Sequence, residues 1–243
     1  MKPLCYLVAC LISFIFVDSS YAAAEMNVSV TGQVKLPPAV TFSMGDRIGK
    51  VVAASEYTQD AYLTGAAWIR QSFVLHQSAR RLLLLSELPS LDLSPELAAS
   101  FTQQIEQLQA TGRVPVTFSW DLLELDPQQN RFLKQEDRFY VPTRPNTINI
   151  VGAVRPYSVA FVSGKTVADY AAELERLDGA NPSYVWVIGP DTSIRKVGIA
   201  YWNTEQAYLA PGSYVYVPID DDDEQLEHFQ QSLLQLFAAQ LLP

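Results

Sequence analysis

The chain has 243 residues, a formal net charge of −9 and 49% hydrophobic residues. An acidic balance of that size argues against nucleic acid as a partner, since nucleic-acid binders present a basic surface. The two cysteines, Cys5 and Cys10, both lie in the first apolar run, so the rest of the chain has neither a disulfide nor thiol chemistry to draw on.

The chain starts as a secretory signal: Lys2, an apolar run from Leu4 to Val17, then small residues ending at Ala24. Cleavage is expected after Ala24, leaving a soluble mature chain from Glu25, because no later segment is long and apolar enough to span a membrane. Leu7-Val8-Ala9-Cys10 resembles a lipoprotein cleavage box. A cut there would leave too short a signal, so the box is read as part of the apolar run.

The mature chain opens with a strand over residues 27–34, a turn forced by Pro37-Pro38, a second strand over 39–42 and a helix over 46–54. Residues 59–87 carry apolar positions three or four apart and are expected to be helical. A second helix starts at Ser94-Pro95-Glu96, where serine caps, proline fits the first turn and the acid suits the positive helix end. Gly112 is the expected C′ residue. Together these form a helical hairpin whose apolar face must be buried against something. Strands follow at 113–120 and 138–141, then a stiff Pro-Thr-Arg-Pro linker at 142–145.

The second half reads as strands at 147–154 and 157–162, then a helix through Leu177 with Thr166 and Asp169 as a capping pair. Strands at 183–188, 194–201 and 213–217 complete it. Residues 146–156 nearly copy residues 27–37: alternating β-branched residues, Gly-x-Val, then Pro. Each half also closes alike, with Tyr140-Val141-Pro142 and Tyr216-Val217-Pro218. An internal repeat fixes architecture before any other reading. The fold class is therefore α+β: tandem β-grasp (ubiquitin-like) domains at 25–142 and 146–219, with the hairpin insertion at about 58–112 in the first. Residues 223–243 form a C-terminal amphipathic helix, expected to dock on the hairpin and the second domain.

Candidate chemistry is sparse. His76 and His228 lack ligand-spaced partners, and Asp220–Asp223 lacks the glycine and distal glutamate of a calcium loop, so neither metal nor cofactor is expected. Arg113 is singled out because it lies where hairpin, sheet and second domain should meet. A buried arginine there demands either structural partners or an anionic ligand. Trp120 and Trp202 sit near expected strand ends and could stack on sugar rings, and Tyr140 could line a groove. Trp186 is read as core and Arg80-Arg81 as a solvated helix face.

The x-Val-x-Gly-x-Val-x-x-Pro repeat, the Gly-x-x-Val helix start and the Pro-Gly-x-Tyr-Val-x-Val-Pro close resemble the β-grasp modules of polysaccharide export proteins. With the hairpin, signal and terminal helix, the chain resembles the GfcC/YjbG family of capsule or exopolysaccharide biosynthesis proteins. That resemblance implies a periplasmic, non-catalytic accessory protein, monomeric, binding surface polysaccharide or its export machinery at the outer membrane. The chain departs from the Wza-type export pore in lacking a further N-terminal domain and a lipid-anchor cysteine. Two other functions remain open at this point: a pore-type exporter using the terminal helix, and a periplasmic polysaccharide-modifying enzyme.

Overall fold

The chain runs β1 (Glu25–Met26), β2 (Ser29–Gly32), β3 (Val34–Lys35), β4 (Phe42–Ser43), α1 (Ile48–Ala54), β5 (Glu56–Tyr57), β6 (Ala67–Ile69), α2 (Gln71–Glu87), α3 (Pro95–Gln107), β7 (Arg113–Val114), α4 (Trp120–Leu125) and β8 (Arg138–Val141). It continues through β9 (Thr147–Gly152), β10 (Tyr157–Ala160), α5 (Val167–Ala172), β11 (Tyr184–Ile188), β12 (Ile194–Gly198), β13 (Tyr214–Val217) and α6 (Glu224–Ala238). The computed structural model describes residues 25–37, 40–116, 118, 120–221 and 223–243. The protein is a mixed α+β structure. Its larger sheets have the orders β2-β8-β6-β7 and β10-β9-β13-β11-β12, with β1-β4 and β3-β5 as short pairs.

The repeated Gly-x-Val motif is a pairing device. In each half the first long strand lies parallel to the last, with Gly32 opposite Val141 and Gly152 opposite Val217. Both glycines have positive φ, +87° and +93°. A Cβ on either would stand 2.1 Å from the Val141 carbonyl oxygen or 2.2 Å from that of Val217. Those carbonyls instead accept from the next residue's amide, Gln33 at 2.7 Å and Ala153 at 2.8 Å. Only glycine fits a backbone that turns this close to its neighbour.

Two apolar cores form, and the hairpin is built into the second. Val34, Phe42, Ile48, Trp68, Leu123 and Phe139 belong to the first core. Leu84, Leu97, Phe101 and Ile105 of α2 and α3 pack with the second sheet and α6. Phe101 meets Phe229 edge-on at 6.0 Å, and Phe237 lies 5.4 Å from Tyr214. Both faces of the second sheet are buried as a result: Val151 and Tyr216 on one, Ile150 and Val215 on the other. Burying Leu226, Phe229, Leu233, Leu236 and Phe237 contributes on the order of 10 kcal/mol before entropy costs, so α6 is held on the body.

Several expected elements are corrected. Residues 59–70 are not helical: a 3₁₀ turn at Leu63–Gly65 leads into strand β6, and α2 begins at Gln71. The run Ala66–Ile69 is buried throughout, and such a run has no period to separate helix from strand. The strand expected at 113–120 stops at Val114, because its partner β6 is three residues long, and Trp120 opens α4 instead. Gly112 has φ +78° but follows α3 by several residues. The helix expected to reach Leu177 ends at Ala172, where the chain turns back to bridge Arg176 to Val154. The caps are found as read: Ser94 accepts from the Leu97 amide at 3.3 Å, and Thr166 and Asp169 form a reciprocal capping box. The expected signal and its cleavage after Ala24, Pro38, Ala39 and Asp222 lie outside the described residues.

Candidate functional site

The C-terminal segment after α6 is clasped by both halves of the chain. Thr111 Oγ1 donates to the Ala239 carbonyl at 2.6 Å. Gln109 and Gln240 exchange hydrogen bonds at 3.1 and 3.0 Å. The Tyr140 hydroxyl donates to the Leu242 carbonyl at 3.0 Å. The Leu242 side chain sits between two glycines: a Cβ on Gly65 would be 2.6 Å from it, and one on Gly212 would be 2.7 Å away.

Arg113 ties this clasp to the sheets. The residue is 3% exposed and its guanidinium donates to three backbone carbonyls: Gln240 at 2.9 Å, Ala66 at 3.1 Å and Pro190 at 2.5 Å. Its acceptors come from the end of α6, the approach to β6 and the β11–β12 turn. Carbonyls at a helix C-terminus lack intrahelical partners, and a cation is the favoured cap there. The backbone around Arg113 is fixed by Gln77, whose side chain accepts from the Gly112 amide at 2.8 Å and donates to the Arg113 carbonyl at 3.0 Å. Burial lowers the Arg113 pKa to about 10, opposed by the nearby Asp191, so the group remains a cation at neutral pH. Its Nε is buried without a hydrogen-bond partner.

A cleft of about 410 Å³ opens beside it, lined by Phe73, His76, Gln77 and Arg80 of α2, by Arg113 and Pro115, and by Gln235, Ala238 and Ala239 from the end of α6. Among the described residues no carboxylate lines this cleft, in a protein of net charge −9. His76 and Arg80 are exposed, one helical turn apart. A buried fixed cation, an exposed guanidinium and an imidazole on one wall can take an anionic oxygen ligand. His76 and Arg80 were missed as site residues in the sequence, where they read as ordinary surface groups. The available signal was their spacing with Phe73 and Gln77 on one side of α2.

The four residues singled out from the sequence do not form one site. Arg113 and Tyr140 both hold the C-terminal segment. Trp202 lies beyond β12, at the end of the β11–β12 hairpin opposite the turn that Arg113 grips. It is 75% exposed beside Tyr201, on a turn fixed by Asn203, which accepts from the Ala200 amide at 2.9 Å and donates to the Ser183 carbonyl at 3.0 Å. Trp120 belongs to α4, not to a strand end.

The acidic lead-in to α6 acts through capping. Asp223 accepts from the Leu226 amide at 2.9 Å, and Asp220 accepts from the Asn181 side chain. Among the described residues, no three His, Cys, Asp or Glu side chains gather as a metal ligand set.

Residues 155–242 match the family model described as capsule biosynthesis GfcC C-terminal, a stretch that runs from β10 through α6 and the clasped tail. The second half of the chain, with α6 and the tail that the clasp holds, is thus similar to a capsule-biosynthesis class of domain. The chain is also similar to the protein YjbG of Escherichia coli (strain K12), 29% identical over 211 residues, which cover 80% of this chain and 84% of that protein. Both matches support the resemblance of this chain to GfcC and YjbG.

Proposed function

We propose that the chain is a periplasmic, non-catalytic accessory protein of capsule or exopolysaccharide assembly or export, and that it works by binding the polysaccharide or a partner in the export machinery. The observation that carries this reading is the cleft of Arg113, Arg80 and His76, which no described carboxylate lines, at the end of a helix within the stretch that matches a capsule-biosynthesis family model. An acidic polymer approaching an acidic protein needs a local basic site, and this cleft supplies one.

The two halves are read as tandem β-grasp modules, supported by the same parallel first-to-last strand pairing around Gly32 and Gly152. The pore-type alternative requires α6 to leave the core, at the cost of its buried leucines and phenylalanines, and no helix among the described residues is long and apolar enough to cross a membrane. The accessory reading leaves α6 where it packs.

The test is genetic. Deleting the gene is expected to reduce surface polysaccharide. A copy carrying His76→Ala and Arg80→Ala, both on the exposed face of α2, is expected to be stable yet fail to restore it. Normal surface polysaccharide in the deletion strain would overturn the proposal.

A further inference from the structure

A second groove, about 340 Å³, lies on the other flank of the α6 terminus, between α3 and strands β9, β10 and β13. Charged residues make up 18% of the chain, yet among the described residues none lines this groove. The polar lining is carboxamide and hydroxyl: Gln103 and Gln107 of α3, with Asn149, Ser158 and Tyr214 of the sheet. Strand register explains the grouping. Ser158 pairs with Asn149, and Asn149 with Tyr214, so the three stand in a row across β10, β9 and β13.

The groove is preset in width. Gln104 locks α3 to β9, accepting from the Gly152 amide at 2.7 Å and donating to its carbonyl at 2.8 Å. Ser158 donates to Asn149 Oδ1 at 2.7 Å, leaving the Asn149 amide nitrogen for a ligand. Gln103 and Gln107 are exposed and make no side-chain hydrogen bond to the described residues. Each carboxamide offers two donors and an acceptor, which matches a sugar hydroxyl that both donates and accepts. A charged ligand would lose hydration here without meeting a counter-charge.

We propose that this groove is a glycan subsite that takes an uncharged sugar segment of the polymer. The proposal rests on the polysaccharide-binding reading above. Gln240 lines this groove, while Ala238 and Ala239 line the cationic cleft. An extended polymer crossing the clasp therefore meets an uncharged subsite and then a cationic one.

The probe is a set of oligosaccharides released by partial hydrolysis of the surface polysaccharide of the strain that carries this gene. It is titrated calorimetrically into the mature chain from Glu25, at low salt and at about 0.5 M salt, where exposed charge pairs are screened. The double variant Gln103→Ala/Gln107→Ala is expected to unfold at the wild-type temperature and to bind about 10-fold more weakly at both salt concentrations, from the loss of two hydrogen-bonding side chains. Arg80→Ala is expected to weaken binding at low salt and much less at high salt. If the double variant binds as the wild type does while Arg80→Ala does not, the groove proposal falls and the polysaccharide reading stands. If the wild type binds none of the oligosaccharides, both fall.

Discussion

Arg113 is buried as a cation with backbone carbonyls for partners and no carboxylate in contact, so its value depends on all three acceptors being met. Arg113→Ala would leave the Ala66, Pro190 and Gln240 carbonyls unpaired and open a cavity, while relieving the cost of a buried charge. Unpaired buried acceptors outweigh that relief, and a loss of about 2–4 kcal/mol is expected by urea unfolding. Arg113→Lys should recover less than half of it, because a compact ammonium cannot reach three separated carbonyls as a planar guanidinium does. Full wild-type stability in the lysine variant would show that charge alone matters at this position. The sequence marked Arg113 through its place after Gly112 and before a strand. It could not show the acceptors, which come from residues 47, 77 and 127 positions away.

At the level of elements, the glycines divide into two kinds. Gly32 and Gly152 repeat in the sequence because each half needs the same close strand crossing, and they were legible for that reason. Gly65 and Gly212 carry no repeat, and their role as a socket for Leu242 exists only once the tail is seated. Gly65→Ala is expected to cost about 1–3 kcal/mol through overpacking, and Leu242→Ala about 2–4 kcal/mol through a lost buried side chain. The double variant should be less destabilised than the sum of the two, with a coupling of about 1 kcal/mol in a thermodynamic cycle. Strict additivity would mean that the two residues do not share the socket. The hairpin shows the same limit. Its stripe of Leu97, Phe101 and Ile105 was readable as a face to be buried, and it is buried on the second sheet and α6. By contrast, β6 was misread as helix because its residues are buried all round.

For the whole molecule, the buried tyrosines set a limit on stability at high pH. Burial raises the pKa of Tyr57, Tyr62, Tyr214 and Tyr216 above the usual value near 10. Tyr57 and Tyr62 also donate their phenol protons to backbone carbonyls, and Tyr216 donates to Gln230. Below pH 10 these groups are protonated in both folded and unfolded chains, and their contribution is complete. Above pH 10 the unfolded chain releases protons that the folded one keeps, so stability falls as pH rises. Arg113 acts in the opposite sense, since its folded pKa of about 10 lies below the unfolded 12.5. Arg176, its pKa also lowered by burial, acts as Arg113 does, but Tyr140 and Tyr157 are raised as well, so two arginines set against six tyrosines leave a net fall. Urea midpoints are expected to be level from pH 8 to 9.5 and to drop by pH 11, with most tyrosinate absorbance at 295 nm appearing together with unfolding. Full tyrosine ionisation in a chain still folded at pH 11 would contradict this.

The sequence by itself determined the local rules: which glycines must turn, which serine, threonine and aspartate cap helices, and that α6 has an apolar face to bury. These depend on residues a few positions apart, where the period of the chain and the chemistry of single side chains suffice. Only the tertiary structure decided that α3 and α6 share one core with the second sheet, that Arg113 and Tyr140 hold the C-terminus, and that a cationic cleft and an uncharged groove flank the same helix end. Those features join segments far apart in the chain, and no local period records which distant carbonyl or side chain will arrive.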